Sequence, residues 1–279
     1  MNTPSALTAN NRPLERILHH RAKRSMHLTV ELLVMIAWRE ISIKYKQSVM
    51  GFFWALLMPC LIVMAGLIVR AGIARMSGTP LATDALAAIM VKSLPWAFFV
   101  TAIRFSTNSL TANSNLVTRA NCPRVVFPLS SVLSALFDMA IATVPLVITL
   151  IVVGVPVTVQ LLWVPLLLVL LVLLVSGLGV LLSTANLFYR DVKYIVEVLL
   201  MFGIFFTPVI YEVDILGEWR TWVLLNPVSP LLEGFYSAIV LGRMPDLPWL
   251  AYSAVASVLI ATGALALFRR LEPSFADSI

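Results

Sequence analysis

Charged residues are scarce in this chain. Asp, Glu, Lys and Arg make up only 12% of its 279 residues, whereas they form about a quarter of an average soluble domain. Hydrophobic residues make up 60%, and the mean hydropathy is +0.94. A soluble fold cannot bury that much apolar surface. The composition therefore excludes a soluble globular protein and predicts an all-α protein that crosses a membrane several times.

Cysteine and histidine are also rare. Cys60 lies in an apolar run and Cys122 in a short loop, so the two cysteines provide neither a disulfide framework nor a metal site. The three histidines lie in the N-terminal segment without acidic or thiol neighbours at ligand spacing. Asp84 and Asp246 are isolated, so no cluster of catalytic type is apparent. We expect no catalytic residue, metal or other cofactor in this chain, and a membrane-embedded glycosyltransferase or acyltransferase is a lesser alternative.

A phosphate-binding loop for nucleotides is missing as well. No G-x-x-x-x-G-K-[ST] segment occurs. The nearest glycine-rich stretch, Gly177-Leu178-Gly179, lies inside an apolar run and leads to Ser183-Thr184 without the lysine that the motif requires. The chain is therefore not expected to be an ATPase. If ATP drives its function, a separate subunit has to bind ATP and magnesium.

Long apolar runs are what the chain has in abundance. A helix needs about 20 apolar residues to cross the hydrocarbon core of a bilayer, and six runs approach or exceed this length. They cover residues 52–69, 94–117, 125–155, 161–188, 194–211 and 248–268. Arg104, Asp138 and Glu197 lie inside three of them, and Thr207-Pro208 interrupts the fifth. The pattern predicts six transmembrane helices.

The distribution of basic residues predicts the orientation of these spans. With the N-terminus in the cytoplasm, fourteen Lys and Arg residues flank the spans on the inside and five on the outside. Both termini are therefore predicted to be cytoplasmic. The domains are a cytoplasmic N-terminal segment at 1–50, a transmembrane domain at 51–271 and a cytoplasmic tail at 272–279. Topology accounts for the net charge of +6, so we expect no nucleic-acid partner.

Three segments outside the spans carry further predictions. Residues 27–46 have helical apolar spacing with Glu40 and Lys44 as polar positions, which predicts an amphipathic interface helix; a soluble helix on a cytoplasmic partner is the alternative. Residues 113–128 have capping residues and prolines and predict a short cytoplasmic helix. Residues 212–247 hold apolar pieces too short to span, which predict re-entrant or interfacial helices. A compact extracytoplasmic loop is the alternative there.

Arg104 and Asp138 carry charges into the predicted membrane. Each lies roughly 15 Å from the cytoplasmic end of its span at 1.5 Å rise per residue. Intramembrane charges normally pair or line a wet cavity. Their similar depth on consecutive antiparallel spans predicts an intramembrane salt bridge between them.

Four sequence patches lie in a fixed order along the chain. They are WREISIKYKQSVMGFFWALLMP at 38–59, CPRVVFPLS at 122–130, YRD followed by TPVIY within 189–211, and LNPVSPLLEGFYSAIVLGRMP at 225–245. Together they resemble the membrane subunits of type-2 ABC transporters that export bacterial polysaccharides. Departures from the family pattern are Lys44-Tyr45 for Arg-Tyr, Cys122 for Phe, and Tyr236 near a frequent Arg.

The resemblance implies a permease subunit without its own nucleotide site. It implies a homodimer that binds two copies of an ABC ATPase and moves a lipid-linked polysaccharide across the bacterial inner membrane. The polysaccharide is O-antigen, capsule or wall teichoic acid, and we expect O-antigen here. A type-2 ABC permease for a drug or small lipid is the alternative.

The resemblance and the residue pattern together give candidate site residues. ATPase docking is expected at Arg39, Lys44, Asn115, Arg119 and Arg124. A charged cytoplasmic turn is expected at Tyr189, Arg190 and Asp191. Aromatic rings can pack on the apolar faces of sugars, so Phe52, Trp54, Phe202, Phe205, Phe206 and Tyr211 are expected to help line a dimeric pore. The alternatives are that the two loop arginines only set topology and that the aromatic residues face lipid or core.

Overall fold

The computed structural model describes residues 12–46, 83–119 and 123–275, together with scattered positions between 57 and 75. Side chains are not described for residues 12–28, 83–86 and 118–119. The described part is helical and contains no strand, which confirms the predicted all-α class. Its α-helices are α1 (Arg12–Lys46), α2 (Thr83–Ala112), α3 (Ser114–Arg119), α4 (Val126–Val153), α5 (Trp163–Phe188), α6 (Val192–Gly203), α7 (Arg220–Leu224), α8 (Val228–Ile239) and α9 (Leu247–Leu271). Short 3-10 helices cover Val159–Leu162, Val213–Trp219 and Glu272–Phe275.

Four helical segments in the described part are long and apolar enough to cross a membrane. They are Ala87–Ala112, Val126–Val153, Val159–Phe188 and Leu247–Phe275. They correspond to the second, third, fourth and sixth predicted spans. The second begins seven residues before the predicted start at residue 94, so Lys92 lies inside a helix and not in the outside segment where the sequence pattern placed it.

The remaining two predicted spans are not seen as continuous helices. Residues 52–69 lie outside the described residues except for scattered positions. In the fifth predicted span, α6 has 12 residues and is therefore about 18 Å long, too short for the hydrocarbon core. It ends at Gly203 because the ring of Pro208 would clash with the carbonyl of Ile204 in a continued helix. Turns follow, in which the N–H of Phe206 donates to the Gly203 carbonyl at 3.1 Å.

Helices α2 and α5 form the centre of the bundle. In the most apolar windows of these spans, 67% and 50% of the residues are buried, against 11% for α4 and 22% for α9. Leu167, Leu171 and Leu174 of α5 are fully buried in the main apolar core. A Cβ at Gly177 would lie 2.7 Å from the backbone of Ala261, so this glycine lets α5 and α9 pack at short distance. The outer faces of α4 and α9 are left for lipid.

The segment before the last span contains two short helices, α7 and α8. Helix α7 lies at the surface, whereas α8 buries Leu231, Leu232 and Phe235 in the main core. The hydroxyl of Ser253 on α9 donates to the Pro227 carbonyl just before α8, at 2.9 Å. Because α8 packs among the span-length helices, it is more than a loop resting on the surface.

The chain alternates between two ends of the bundle. Helices α2, α5 and α9 finish and α4 and α6 begin at one end, which also carries α3 and is called the α3 end below. The short helix predicted at 113–128 is present there as α3.

Candidate functional site

Helix α1 is held on α4 by polar contacts. The Lys44 ammonium group forms an ion pair with the Asp138 carboxylate, and the Tyr45 hydroxyl donates to Asp138 Oδ1 at 2.7 Å. One turn earlier on α1, Glu40 Oε1 accepts a hydrogen bond from the Ser130 hydroxyl at 3.0 Å. Burial raises the pKa of Glu40 above its ordinary value, partly offset by its bonds to serine hydroxyls.

These contacts show which side of α1 packs on the bundle. Glu40 and Lys44, two of the predicted polar positions, face α4, where Ser130 and Asp138 are their partners. Trp38 is 64% exposed, and Val34 and Met35 are exposed as well. The outward stripe of α1 is therefore partly apolar.

The predicted salt bridge between Arg104 and Asp138 is not formed. Asp138 takes Lys44 and Tyr45 as its partners, and no ion pair joins it to Arg104 among the described residues. The Nε atom of Arg104 is buried and has no hydrogen-bond partner in the described part of the chain. Spacing along the helices gave a similar depth for the two residues but not the direction in which each side chain points.

The residues predicted to dock an ATPase gather at the α3 end with different contacts. Arg39 donates to Asn113 Oδ1 at 2.7 Å and is exposed, as is Asn115. Arg124 donates from Nε to the Val117 carbonyl at 3.1 Å and from Nη1 to the Glu272 carbonyl at 2.6 Å. Arg124 thus ties α3 to the C-terminal 3-10 helix.

The other two predicted docking residues are Lys44 and Arg119. Lys44 forms the ion pair with Asp138 and ties α1 to α4. The side chain of Arg119 lies outside the described residues.

The charged turn between α5 and α6 is anchored by a residue that the sequence interpretation did not select. Tyr189, Arg190 and Asp191 are exposed at the α3 end. Asn186 is buried, donates from Nδ2 to the Thr107 carbonyl at 3.1 Å and accepts from the Lys193 N–H at 3.2 Å. An amide side chain at the end of an apolar run, just before a charged turn, was the available signal.

The aromatic residues of the fifth predicted span share an exposed surface. Phe202, Phe205 and Phe206 are 51%, 62% and 71% exposed, whereas Val196 and Leu200 on the other side of α6 are buried. The Tyr211 hydroxyl donates to the Phe205 carbonyl at 3.1 Å. Phe52 and Trp54 lie outside the described residues. The four described aromatic residues thus lie together, beside the point where α6 is broken.

A buried ion pair lies among the helices near the end opposite α3. The fully buried Lys92 ammonium group is 2.5 Å from Glu233 Oε1 on α8. It also donates to the Tyr211 carbonyl at 3.4 Å and lies 4.7 Å from the centre of the Tyr236 ring. The pair therefore joins α2 to α8 and to the segment after α6. The sequence interpretation missed it because it assigned both charges to outside loops.

Taken together, the described part of the chain is an assembly of span-length apolar helices whose internal charges are mostly paired. No cluster of metal-ligating side chains occurs among the described residues. This combination defines a polytopic helical membrane protein.

Comparison with known families gives the particular class. The family model of the ABC-2 type transporter matches residues 31–240. The chain therefore belongs to the ABC-2 type transporter family, as its sequence patches indicated.

Curated relatives resemble the chain over almost its whole length. An O-antigen export system permease protein RfbA from Klebsiella pneumoniae is 25% identical over 260 residues, which cover 92% of this chain and 98% of the relative. The protein of the same name from Myxococcus xanthus is 26% identical over 263 residues, which cover 93% of this chain and 99% of the relative.

Proposed function

We propose that the chain is the permease subunit of an ATP-driven exporter that moves lipid-linked O-antigen from the cytoplasmic side across the bacterial inner membrane. The observation that carries this proposal is the end-to-end similarity to permeases named for O-antigen export, together with the ABC-2 type family match.

The proposed topology has six spans with both termini in the cytoplasm. The α3 end then faces the cytoplasm, which is supported by the basic residues that lie there. They are Arg39, Arg124, Arg190, Lys193, Arg269 and Arg270. In this orientation α6 and the turns after it form a broken fifth span, and α8 is re-entrant from the outside. Backbone that breaks within a membrane needs partners for its polar groups. This fits the hydrogen bonds that the Tyr211 hydroxyl donates to the Phe205 carbonyl and that Lys92 donates to the Tyr211 carbonyl.

The proposed assembly contains two copies of this chain and two copies of an ABC ATPase. The ATPase docks at the α3 end, where Arg39, Asn115 and Arg119 contact it. Arg124 and Lys44 support this surface by holding α3 and α1 in place. ATP and magnesium bind to the partner subunit.

The proposed pore is formed where two copies meet. The exposed aromatic residues at the end of α6 and in the turns after it (Phe202, Phe205, Phe206 and Tyr211) line it together with Phe52 and Trp54. Aromatic rings there would hold a passing glycan through the apolar faces of its sugars without fixing it at one site.

Deletion of the chain from its host tests the proposal. We expect O-antigen to disappear from the cell surface while lipid-linked glycan accumulates on the cytoplasmic side, and the chain supplied in trans should restore export. Unchanged surface O-antigen in the deletion strain would contradict the proposal. If sensitivity to drugs changed instead, the alternative of a small-molecule permease would replace it.

A further inference from the structure

Arg104 stands out because it is a cation within a membrane-spanning helix whose Nε atom has no partner in the described part of the chain. It lies eight residues before the end of α2 at Ala112, which is about 12 Å along the helix from the α3 end. A charge at such a depth is costly unless it pairs or faces a wet cavity. A guanidinium Nε atom without a hydrogen-bond partner at this position therefore requires an explanation.

Three acidic residues packed among the described helices have other partners. Asp138 is occupied by Lys44 and Tyr45, Glu233 is occupied by Lys92, and Glu40 accepts a hydrogen bond from Ser130 on α4. The sequence from Gln47 to Ala82, which contains the first predicted span, has no Asp or Glu. That part of the chain therefore cannot supply a carboxylate to Arg104.

Glu197 on α6 is a further acidic residue to consider. Gly203 of α6 packs on Trp96 of α2, since a Cβ there would lie 3.1 Å from the ring. Glu197 lies six residues before Gly203 and Arg104 lies eight residues after Trp96, and both steps lead toward the α3 end. The two residues are therefore at a similar level in the bundle. Glu197 is nevertheless exposed, and the two residues form no ion pair in the described structure.

We propose that Arg104 binds a phosphate group carried by a lipid within the membrane part of the protein. Guanidinium groups present two parallel N–H donors that match two phosphate oxygens, and such charge-assisted contacts are stronger than neutral hydrogen bonds. A phospholipid headgroup and the diphosphate of a polyprenyl-linked glycan share this chemistry. Assigning the phosphate to the glycan carrier rests on the proposed function, whereas the phosphate contact itself does not.

The side of α2 that carries Arg104 fits such a ligand. Ala102, Ile103 and Ser106 are buried on the core side of the helix, whereas Phe105, next to Arg104, is 51% exposed. The Lys44 ammonium group lies 5.5 Å from the centre of the Phe105 ring but is neutralised by Asp138. The local charge is therefore one uncompensated cation, which suits an anionic ligand.

Binding by the purified chain without any ATPase tests this inference. The chain in neutral maltoside micelles is titrated with undecaprenyl diphosphate, and separately with phosphatidylglycerol, and bound lipid is counted by native mass spectrometry. Arg104→Gln should weaken binding of undecaprenyl diphosphate by about tenfold, because a hydrogen bond between charged groups is lost. The affinity of Arg104→Lys should lie between those of the original chain and Arg104→Gln, because lysine keeps the charge but lacks the two parallel N–H donors of a guanidinium group. Arg270→Gln, which removes an exposed cation at the end of α9, should bind like the original chain.

The outcomes separate the possibilities. If Arg104→Gln binds phosphatidylglycerol tenfold more weakly but undecaprenyl diphosphate equally well, the phosphate contact stands and belongs to a phospholipid. Equal binding by Arg104→Gln and the original chain would overturn the inference. A lower thermal midpoint of the lipid-free Arg104→Gln protein would also overturn it. The same holds if Arg104→Gln no longer weakens lipid binding when Glu197→Gln is present, because both results indicate an internal structural pair. Because the assay involves no export, loss of binding would stand even if surface O-antigen were unaffected by deletion of the chain.

Discussion

Helix α2 carries two membrane cations whose surroundings differ sharply. Lys92 is fully buried and has a carboxylate, a carbonyl and an aromatic ring around its ammonium group. Arg104, twelve residues further along the helix, has a buried Nε without a partner in the described part. The same helix thus contains one cation whose charge is used internally and one whose charge is available. We infer that the first holds the bundle together and that the second serves a ligand.

Removing Lys92 should have the largest effect. Lys92→Met leaves Glu233, whose side chain is 23% exposed, without its partner, which costs less than the roughly 3–5 kcal/mol of a fully buried pair but more than the loss of a surface pair. Folded yield and thermal midpoint in detergent should both fall, whereas Arg104→Gln should leave them unchanged. The double variant Lys92→Met with Glu233→Gln should lose less than the two single losses combined, because no charge is left stranded. Equal stability of Lys92→Met and Arg104→Gln would remove the distinction between the two cations.

The ion pair between α1 and α4 should have an intermediate effect. Lys44 and Asp138 keep 31% and 11% of their side chains exposed, so their contact is weaker than a fully buried one. A double-mutant cycle of Lys44→Gln and Asp138→Asn on thermal stability should give a coupling of about 1 kcal/mol. The matched cycle of Arg104→Gln and Asp138→Asn should be additive. Coupling in the second cycle and none in the first would restore the salt bridge expected from the sequence.

The residues proposed to dock the ATPase should affect assembly more than stability. Arg39→Glu with Arg119→Glu should weaken the complex with the ATPase by about tenfold, because rim charges guide association, while the protein still inserts and remains folded. Pull-down and coupled ATPase activity measure this, with Arg270→Glu as the control at the same end. An unchanged complex would move the docking surface elsewhere. Arg124→Glu is less informative, because it also breaks the contacts with Val117 and Glu272.

The smallest effect is expected at the exposed aromatic residues just after α6. Phe205→Ala with Phe206→Ala should reduce export by about threefold, since single aromatic contacts are worth little each. The amount of protein in the membrane should not change. Leu259→Ala on α9, which is similarly exposed at 65%, should leave export unaffected because it faces lipid. Equal export by all three proteins would assign Phe205 and Phe206 to the lipid-facing surface.

Composition and local pattern determined much of this protein. The scarcity of charge and the long apolar runs gave a polytopic all-α protein, and the four patches gave its family. The run lengths located the second, third, fourth and sixth spans, and Thr207-Pro208 located the interruption of the fifth. These features depend on near neighbours in the chain, because hydropathy, helix length and proline geometry act over a few residues.

The partners of the internal charges were decided by the tertiary structure alone. Helical rise gave Arg104 and Asp138 a similar depth, but the rotation of each helix about its axis turned Asp138 toward Lys44 and Arg104 away from it. Lys92 and Glu233 are separated by 141 positions in the chain, and they meet only because α8 folds back between α2 and α5. Such contacts depend on how helices pack side by side, which periodicity within a single helix does not specify.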